Sequence, residues 1–351
     1  MTRFQAAVLK ELNSPLAVEE LELKSPLLGG QVLVRMISSS ICGSQLLEIQ
    51  GFKNNARFLP HMLGHEGFGQ VEDIGPGTTR VKVGDFVVAH WRKTSGLESP
   101  GVKFSSKRGV DVGAGAVTTF SEYSVISENR LTPVPSKTDP KLGSLLGCAL
   151  STGFSAVEKL VGAAFGSTVL VFGSGGVGIS SVVACSLRGF GQIIVVDLGE
   201  QKKSYALANG ATGYVDALSE NWKNQVLALN EGNKFDAVIE ASGSKEALLA
   251  AGEFSQDGGR VVILGQGAPD KSIELGPQSS AFGAAEGKSF VFSHGGSFDP
   301  ASDIQRYIYA IGGKGASVSD ALSNTSDELE NINDLIARMK AGEPGRFFLE
   351  F

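Results

Sequence analysis

The sequence predicts an α/β chain in two parts: a compact, mostly antiparallel β domain and a doubly wound parallel sheet. Three observations predict this. From residue 168 onward, short β-branched apolar runs alternate with stretches of helical spacing, the pattern of parallel strands joined by helical crossovers. Residues 4 to about 148 instead carry strand-like segments separated by glycine turns, the mark of an antiparallel β domain. The 351 residues are also enough for two domains of about 150 each.

In the first part the clearest strands are Gln31–Ile37, Gly69–Ile74 and Val81–Val88. Residues 92–118, rich in glycine and serine, read as a long loop. Between Lys141 and Leu160 the spacing turns helical, on Leu142, Leu145, Leu146, Leu150, Phe154, Val157 and Leu160. Strands follow near 168–172, 192–196, 213–215, 235–240, 260–264 and 288–293. Helices intervene near 177–187, 200–209, 219–229 and 245–256. A helix over 332–340 and a strand over 346–351 come after them. That strand needs a sheet to join, and the N-terminal β domain is the candidate. The expected organisation is one domain of residues 1–150 and 296–351, with a sheet domain of residues 151–295 inserted into it.

Composition narrows the class. A hydrophobic content of 42% with 46 glycines describes a soluble, turn-rich α/β protein. A net charge of −6 and a pI near 5.4 argue against nucleic acid or an anionic membrane as the main partner. The N-terminus lacks the apolar core of a signal peptide, and no run approaches the roughly 18 apolar residues of a membrane span. Three cysteines are too few for a disulfide scaffold, which points to the reducing cytoplasm.

The most informative stretch runs from Thr168 to Asp197. A β-branched strand leads straight into Gly173-Ser-Gly175-Gly176-Val177-Gly178, a helix opens, and a second β-branched strand ends on Asp197. Gly173 permits the tight turn, Gly175 lets backbone approach a pyrophosphate, and Gly178 lets helix and strand pack closely. The helix N-terminus offers unpaired N–H groups to phosphates. An acid about 20 residues on is the ribose ligand of such a motif. This is a dinucleotide site.

A second constellation is spread along the first domain. Cys42 lies in Ile41-Cys-Gly-Ser44-Gln45, His65 and Glu66 in Gly64-His-Glu-Gly67, and Cys148 follows Gly147. Two thiolates and a neutral imidazole form a catalytic zinc shell with a fourth position left open. Spacing alone does not decide this, because isolated cysteines and histidines are more often core residues.

Taken in order, Ile41-Cys-Gly-Ser, Gly64-His-Glu, Gly84-Asp85 before Val87-Val88, Gly147-Cys148 and Gly173-x-Gly-Gly-Val-Gly178 resemble the zinc-dependent medium-chain dehydrogenase/reductase family, the alcohol and polyol dehydrogenases. The likeness covers nearly the whole chain, and the Cys and His donor set is the one alcohol dehydrogenases use. It implies a GroES-like catalytic domain and a Rossmann dinucleotide-binding domain. It implies Cys42, His65 and Cys148 as zinc ligands, with Glu66 the acid that transiently coordinates the metal, and Ser44 the hydroxyl that takes the alcohol proton. Thr152, Val177, Leu264 and Gln266 match neighbours of the nicotinamide. Asp197 matches the ribose acid, Lys202 a basic neighbour of it, and Arg346 a basic contact to the cofactor. The implied cofactors are one zinc per chain and NAD, and the implied assembly is a homodimer or homotetramer.

The departures are specific. Residues 89–147 hold no cysteine, so the structural zinc of many relatives is expected to be absent. A relay histidine in many relatives is Leu47 here, leaving water, His61, His90 or His294 as proton exits. The aspartate that usually supports the zinc-bound histidine is Gln45, an amide that brings no charge.

The expected activity is reversible oxidation of an alcohol to its carbonyl. The substrate is expected to be a secondary alcohol of a polyol, sugar or cyclitol derivative, with no nucleic acid or membrane partner. The motivation is His90-Trp91-Arg92-Lys93: Trp91 aligns with a cleft position, and Arg92 and Lys93 suit an anionic group. These two cations read equally well as a solvated loop. The rival functions are a zinc-free quinone or enoyl reductase of the same superfamily, and a non-catalytic dinucleotide sensor.

Overall fold

In a computed structural model, which describes residues 2–267, 287–312 and 315–351, contacts divide the chain into two compact units. One comprises Met1–Cys148, Asp299–Gly342 and Arg346–Phe351; the other comprises Ala149–Phe298 and Glu343–Gly345.

The first unit assembles around the strand Gln31–Ser40, whose Val32, Leu33, Val34 and Met36 are all buried. It pairs antiparallel with Gly67–Ile74, Tyr123–Ser127 and Arg346–Glu350. Phe86–Ala89, Leu131–Val134 and Ser323–Asp327 complete a seven-stranded sheet. Thr2–Leu9, Ala17–Leu23, Lys103–Ser106, Asp111–Gly113 and His61–Met62 close a barrel. The strand Arg346–Glu350 does join the N-terminal sheet, lying between Gln31–Ser40 and Ser323–Asp327. The helix Ile332–Lys340 carries Ile332, Leu335 and Ile336 on one face, the three-to-four spacing of an amphipathic helix. That face packs with Leu9, Ile41, Phe120 and Phe347 in one core cluster.

The second unit is a six-stranded parallel sheet in the order Gly213–Asp216, Gln192–Asp197, Thr168–Phe172, Phe235–Glu240, Ser255–Ile263, Ser289–Phe292. In chain order this is 3-2-1-4-5-6. The order reverses between Thr168–Phe172 and Phe235–Glu240, the place where such sheets bind ligands. Leu170, Ile194, Val238 and Val261, all buried, form its core with Phe254 of the helix Lys245–Phe254.

Three expectations need correction. Residues 92–118 are not one loop: Lys103–Ser106 and Asp111–Gly113 form a hairpin of the barrel. Phe104, Ser106 and Val112 are buried there, and only two of the three are apolar, so the alternation is too short to read. Val81–Val88 is not one strand, because a turn intervenes, with Asp85 Oδ2 accepting from the Lys82 N–H at 3.0 Å, and pairing begins at Phe86. The helical stretch from Lys141 to Leu160 is broken into Pro140–Leu146, Ala149–Ser155 and a wide turn at Ala156–Leu160. No helix among the described residues is long and apolar enough to cross a membrane.

Phe347 is 1% exposed and ties the strand Arg346–Glu350 to the helix Ile332–Lys340 through their shared core. Replacing it with alanine should cost about 3–5 kcal/mol. Urea unfolding of the variant checks this, and a cost below about 1 kcal/mol would mean that the core collapses around the gap.

Candidate active site

Three loops of the first unit converge. Cys42 follows the central strand at the start of the short helix Gly43–Ile49. His65 lies between His61–Met62 and Gly67–Ile74. Cys148 sits in the break between the helices Pro140–Leu146 and Ala149–Ser155. Gly147 makes that break close to the other loops: a Cβ there would stand 2.3 Å from the Ala89 carbonyl oxygen and 2.9 Å from Glu66 Cα. No other residue type fits so near.

The ligand atoms of Cys42, His65 and Cys148 all lie within 4.8 Å of one another. His65 Nε2 is buried with no hydrogen-bond partner. A buried polar atom without a partner in the protein is costly unless a bound group satisfies it. Two sulfurs and an imidazole nitrogen are the donors of a tetrahedral zinc site, so the residues present fit that ion. The hydrogen bond with Cys148 and the neighbouring His65 draw the Cys42 thiol well below its ordinary range. The same bond, with burial, pushes the Cys148 thiol up. Without a cation the two sulfurs therefore do not readily carry two negative charges.

Around this set the side chains are ordered by hydrogen bonds. Gln45 is 1% exposed; its Oε1 accepts from the Cys42 N–H at 3.1 Å and its Nε2 lies 2.5 Å from His65 Nδ1. The direction of this amide fixes the imidazole tautomer. Turned so that its oxygen, rather than the nitrogen that faces Nδ1 here, accepts from an Nδ1–H, the amide leaves the lone pair of His65 Nε2 for a metal. Glu66 is fully buried, and its Oε1 accepts from Ser40 Oγ at 2.7 Å and from the Arg346 guanidinium. Burial pushes its carboxyl up, and Arg346 pulls it back. Ser44 Oγ is buried with no hydrogen-bond partner, leaving its hydroxyl available to a substrate oxygen.

The coenzyme residues lie in the second unit. Gly175 caps the helix Gly176–Leu187, and no atom comes within 4 Å of a Cβ built on it, the open backbone that a pyrophosphate needs. A Cβ on Gly178 would meet the Gly173 carbonyl oxygen at 1.8 Å, so the helix packs onto the strand only with glycine there. Asp197 accepts from Ser174 N and Oγ, each at 2.6 Å, from Leu198 N at 2.7 Å and from Lys202 Nζ at 2.9 Å. Burial alone would raise its carboxyl, but Lys202 and Ser174 outweigh that and hold it below its ordinary range. Thr152 is buried on the helix Ala149–Ser155. Leu264 and Gln266 follow the fifth strand, where the Leu264 N–H donates to the Glu240 carbonyl at 2.8 Å. The glycine motif and Asp197 thus fit a dinucleotide.

Several expected residues have partners within the protein. Arg346, expected as a basic contact to the cofactor, also engages Glu66 and Ser40. Lys93 Nζ pairs with Glu98 Oε1 at 3.2 Å, while the Arg92 guanidinium lies 5.4 Å from the Trp91 ring centroid. His61 has Nδ1 on the Met62 carbonyl and Nε2 near Asn55; His90 has Nδ1 on the Arg92 carbonyl and Nε2 near Thr132. Neither ring has a nitrogen left for a relay. Ser40 and Ser174 escaped sequence reasoning, since serine is common and their partners lie 26 and 23 positions away.

Comparison with known proteins agrees with this arrangement. Residues 29–136 match the alcohol dehydrogenase GroES-like domain and residues 176–326 the zinc-binding dehydrogenase domain. Alcohol dehydrogenase 6 of Peromyscus maniculatus is 31% identical over 97% of this chain and 96% of its own. The chain belongs to the zinc-type medium-chain dehydrogenase family. It is an enzyme of the alcohol dehydrogenase class. An S-(hydroxymethyl)glutathione dehydrogenase of Saccharomyces cerevisiae is 30% identical over 81% of this chain and 83% of its own. An alcohol dehydrogenase zinc-binding domain protein from Burkholderia ambifaria shares the fold, with a TM-score of 0.89 at 24% identity over 100% of this chain and 99% of that one.

His90 is fully buried, and desolvation holds its pKa down to about 3, although the Arg92 carbonyl favours the charged form. The unfolded chain takes up this proton near pH 6.5, and the folded chain not until about pH 3. The unfolded state therefore binds more protons between these limits. Stability is full above about pH 6.5 and falls toward pH 3, by at most about 1.4 kcal/mol per pH unit from this group. Urea unfolding from pH 7 to pH 4 should show a flatter slope in His90→Gln than in the parent. Equal slopes would mean that His90 is charged in the folded protein.

Proposed function

We propose that this enzyme interconverts a secondary alcohol of a polyol, sugar or cyclitol derivative and its carbonyl, using NAD and one zinc ion per chain. The observation that carries the reading is the convergence of Cys42, Cys148 and the unpartnered His65 Nε2 beside an unpartnered Ser44 Oγ. When bound, zinc supplies Lewis acidity toward the substrate oxygen, and NAD supplies hydride acceptance. Cys42, His65 and Cys148 hold the ion, with Gln45 orienting the imidazole. Ser44 accepts the alcohol proton at Oγ and passes it outward. Ser40 and Arg346 hold Glu66 to one side until it is needed near the cysteines. The glycine turn at 173–178 takes the pyrophosphate, and Asp197 the adenosine ribose; with no arginine at positions 198–203 to match a 2′-phosphate, NAD is preferred over NADP. Arg346 is read as a basic contact to the cofactor that also answers Glu66.

The substrate assignment rests on Trp91 and Arg92. A flat aromatic ring with a stacked guanidinium suits a sugar ring bearing an anionic group. Lys93 contributes less, because Glu98 already answers its charge. Absence of cysteine from residues 89–147 favours a single zinc without a structural second ion. A homodimer or homotetramer is supported by Ser289–Phe292, which ends the parallel sheet with Phe292 67% exposed. The low cysteine count supports a cytoplasmic location.

Metal analysis should find about one zinc per chain, and Cys148→Ala should remove it while NADH binding persists. Two ions per chain would overturn the single-site reading. NADH appearance should be fastest with secondary polyols, sugars or their phosphates, and Arg92→Ala should raise KM about tenfold for an anionic substrate, the loss of roughly one charge-assisted hydrogen bond. Activity confined to small primary or aromatic alcohols would replace the polyol assignment.

A further inference from the structure

A carboxylate offers about four lone-pair positions, and in Asp197 all four are taken. Ser174 N and Ser174 Oγ both donate to Oδ2 at 2.6 Å, and Leu198 N at 2.7 Å and Lys202 Nζ at 2.9 Å donate to Oδ1. The Asp197 side chain is only 11% exposed, so few additional donors can reach it. Two ribose hydroxyls bind this acid only by displacing donors already there.

The four donors differ in how readily they leave. Leu198 N belongs to the adjoining peptide. Ser174 N is held by the turn, where the Gly173 N–H donates to the Val196 carbonyl at 2.8 Å. Lys202 has a long, flexible stem and can keep a bond by turning its ammonium to a ribose oxygen. The Ser174 hydroxyl has neither recourse. Its side chain is short, the residue is 4% exposed, and leaving Asp197 strands it without its charge-assisted bond.

We infer that Ser174 sets coenzyme affinity and selectivity, its hydroxyl competing with the adenosine ribose for Asp197. The inference rests on the proposed NAD reading. Competition of this kind weakens NAD, whose ribose diol donates to the acid. It does not weaken NADP in the same way, because a 2′-phosphate only accepts hydrogen bonds and gains from a hydroxyl donor beside it. Ser174 therefore narrows the gap between the two coenzymes.

The test uses the zinc-loaded full chain and the parent, Ser174→Ala and Ser174→Gly proteins. Fluorescence titration gives Kd for NADH and NADPH, calorimetry gives Kd for ADP-ribose, and thermal melts are recorded with and without NADH. Without the hydroxyl, NADH and ADP-ribose should bind about fivefold more tightly, the factor that one hydrogen bond of about 1 kcal/mol is worth. NADPH should bind no more tightly than before. The unliganded melting temperature should fall while the NADH-induced rise grows, a pair of opposite changes that a purely structural serine does not produce. Unchanged or weaker NADH binding in a variant that melts cooperatively would overturn the inference and make Ser174 a support for Asp197. The glycine variant, which adds no atoms, decides the matter if the alanine variant does not fold. A parent protein that binds neither dinucleotide overturns the coenzyme reading first and this inference with it.

Discussion

The fully buried ion pair of Glu66 and Arg346, bridged by Ser40, is the constraint on which the metal-binding region depends. Burying two charges is favourable only when their geometry is good and their remaining hydrogen bonds are made, and leaving one without its partner costs about 3–5 kcal/mol. Each member comes from a different strand end. Ser40 ends Gln31–Ser40, Glu66 directly precedes Gly67–Ile74, and Arg346 opens Arg346–Glu350. Correct pairing of these three strands is thus coupled to satisfaction of the charge. Cys42 lies two residues beyond Ser40 and His65 one residue before Glu66, so the same pairing sets both ligands.

The coenzyme residues follow a different logic, in which backbone rather than charge is decisive. Gly178 is required by an approach of 1.8 Å that no Cβ tolerates, and the acid at the end of the next strand is fixed by parallel register, with Phe172 opposite Val196. Selectivity is then left to the side chains around Asp197. One site is built from donor chemistry, the other from backbone approach.

These differences decide what the sequence made legible. A backbone requirement leaves a residue-type signature, so the glycine turn, its flanking strands and Asp197 could be read directly. The metal set could not, because 42, 65 and 148 obey no period and only the resemblance joined them. The pairing of Arg346 with Glu66 was not legible, because a basic residue in sequence names no partner and this acid lies 280 positions away. The hairpin of Lys103–Ser106 and Asp111–Gly113 was hidden because Phe104 and Val112 are its only buried apolar residues. The break at Gly147 was hidden by leucines that keep helical spacing on both sides of it.

Because Arg346–Glu350 lies between Gln31–Ser40 and Ser323–Asp327, the unit encoded first is also the one finished last. During synthesis the parallel sheet can form while Ser38–Ser40 still lack the strand partner that Arg346–Glu350 supplies, since domains fold as units in the order they emerge. Until Arg346 arrives, Glu66 has no guanidinium and takes a proton or keeps contact with water. The nascent chain therefore carries an unfinished acid beside two cysteines, and translation of one short strand supplies the acid's partner.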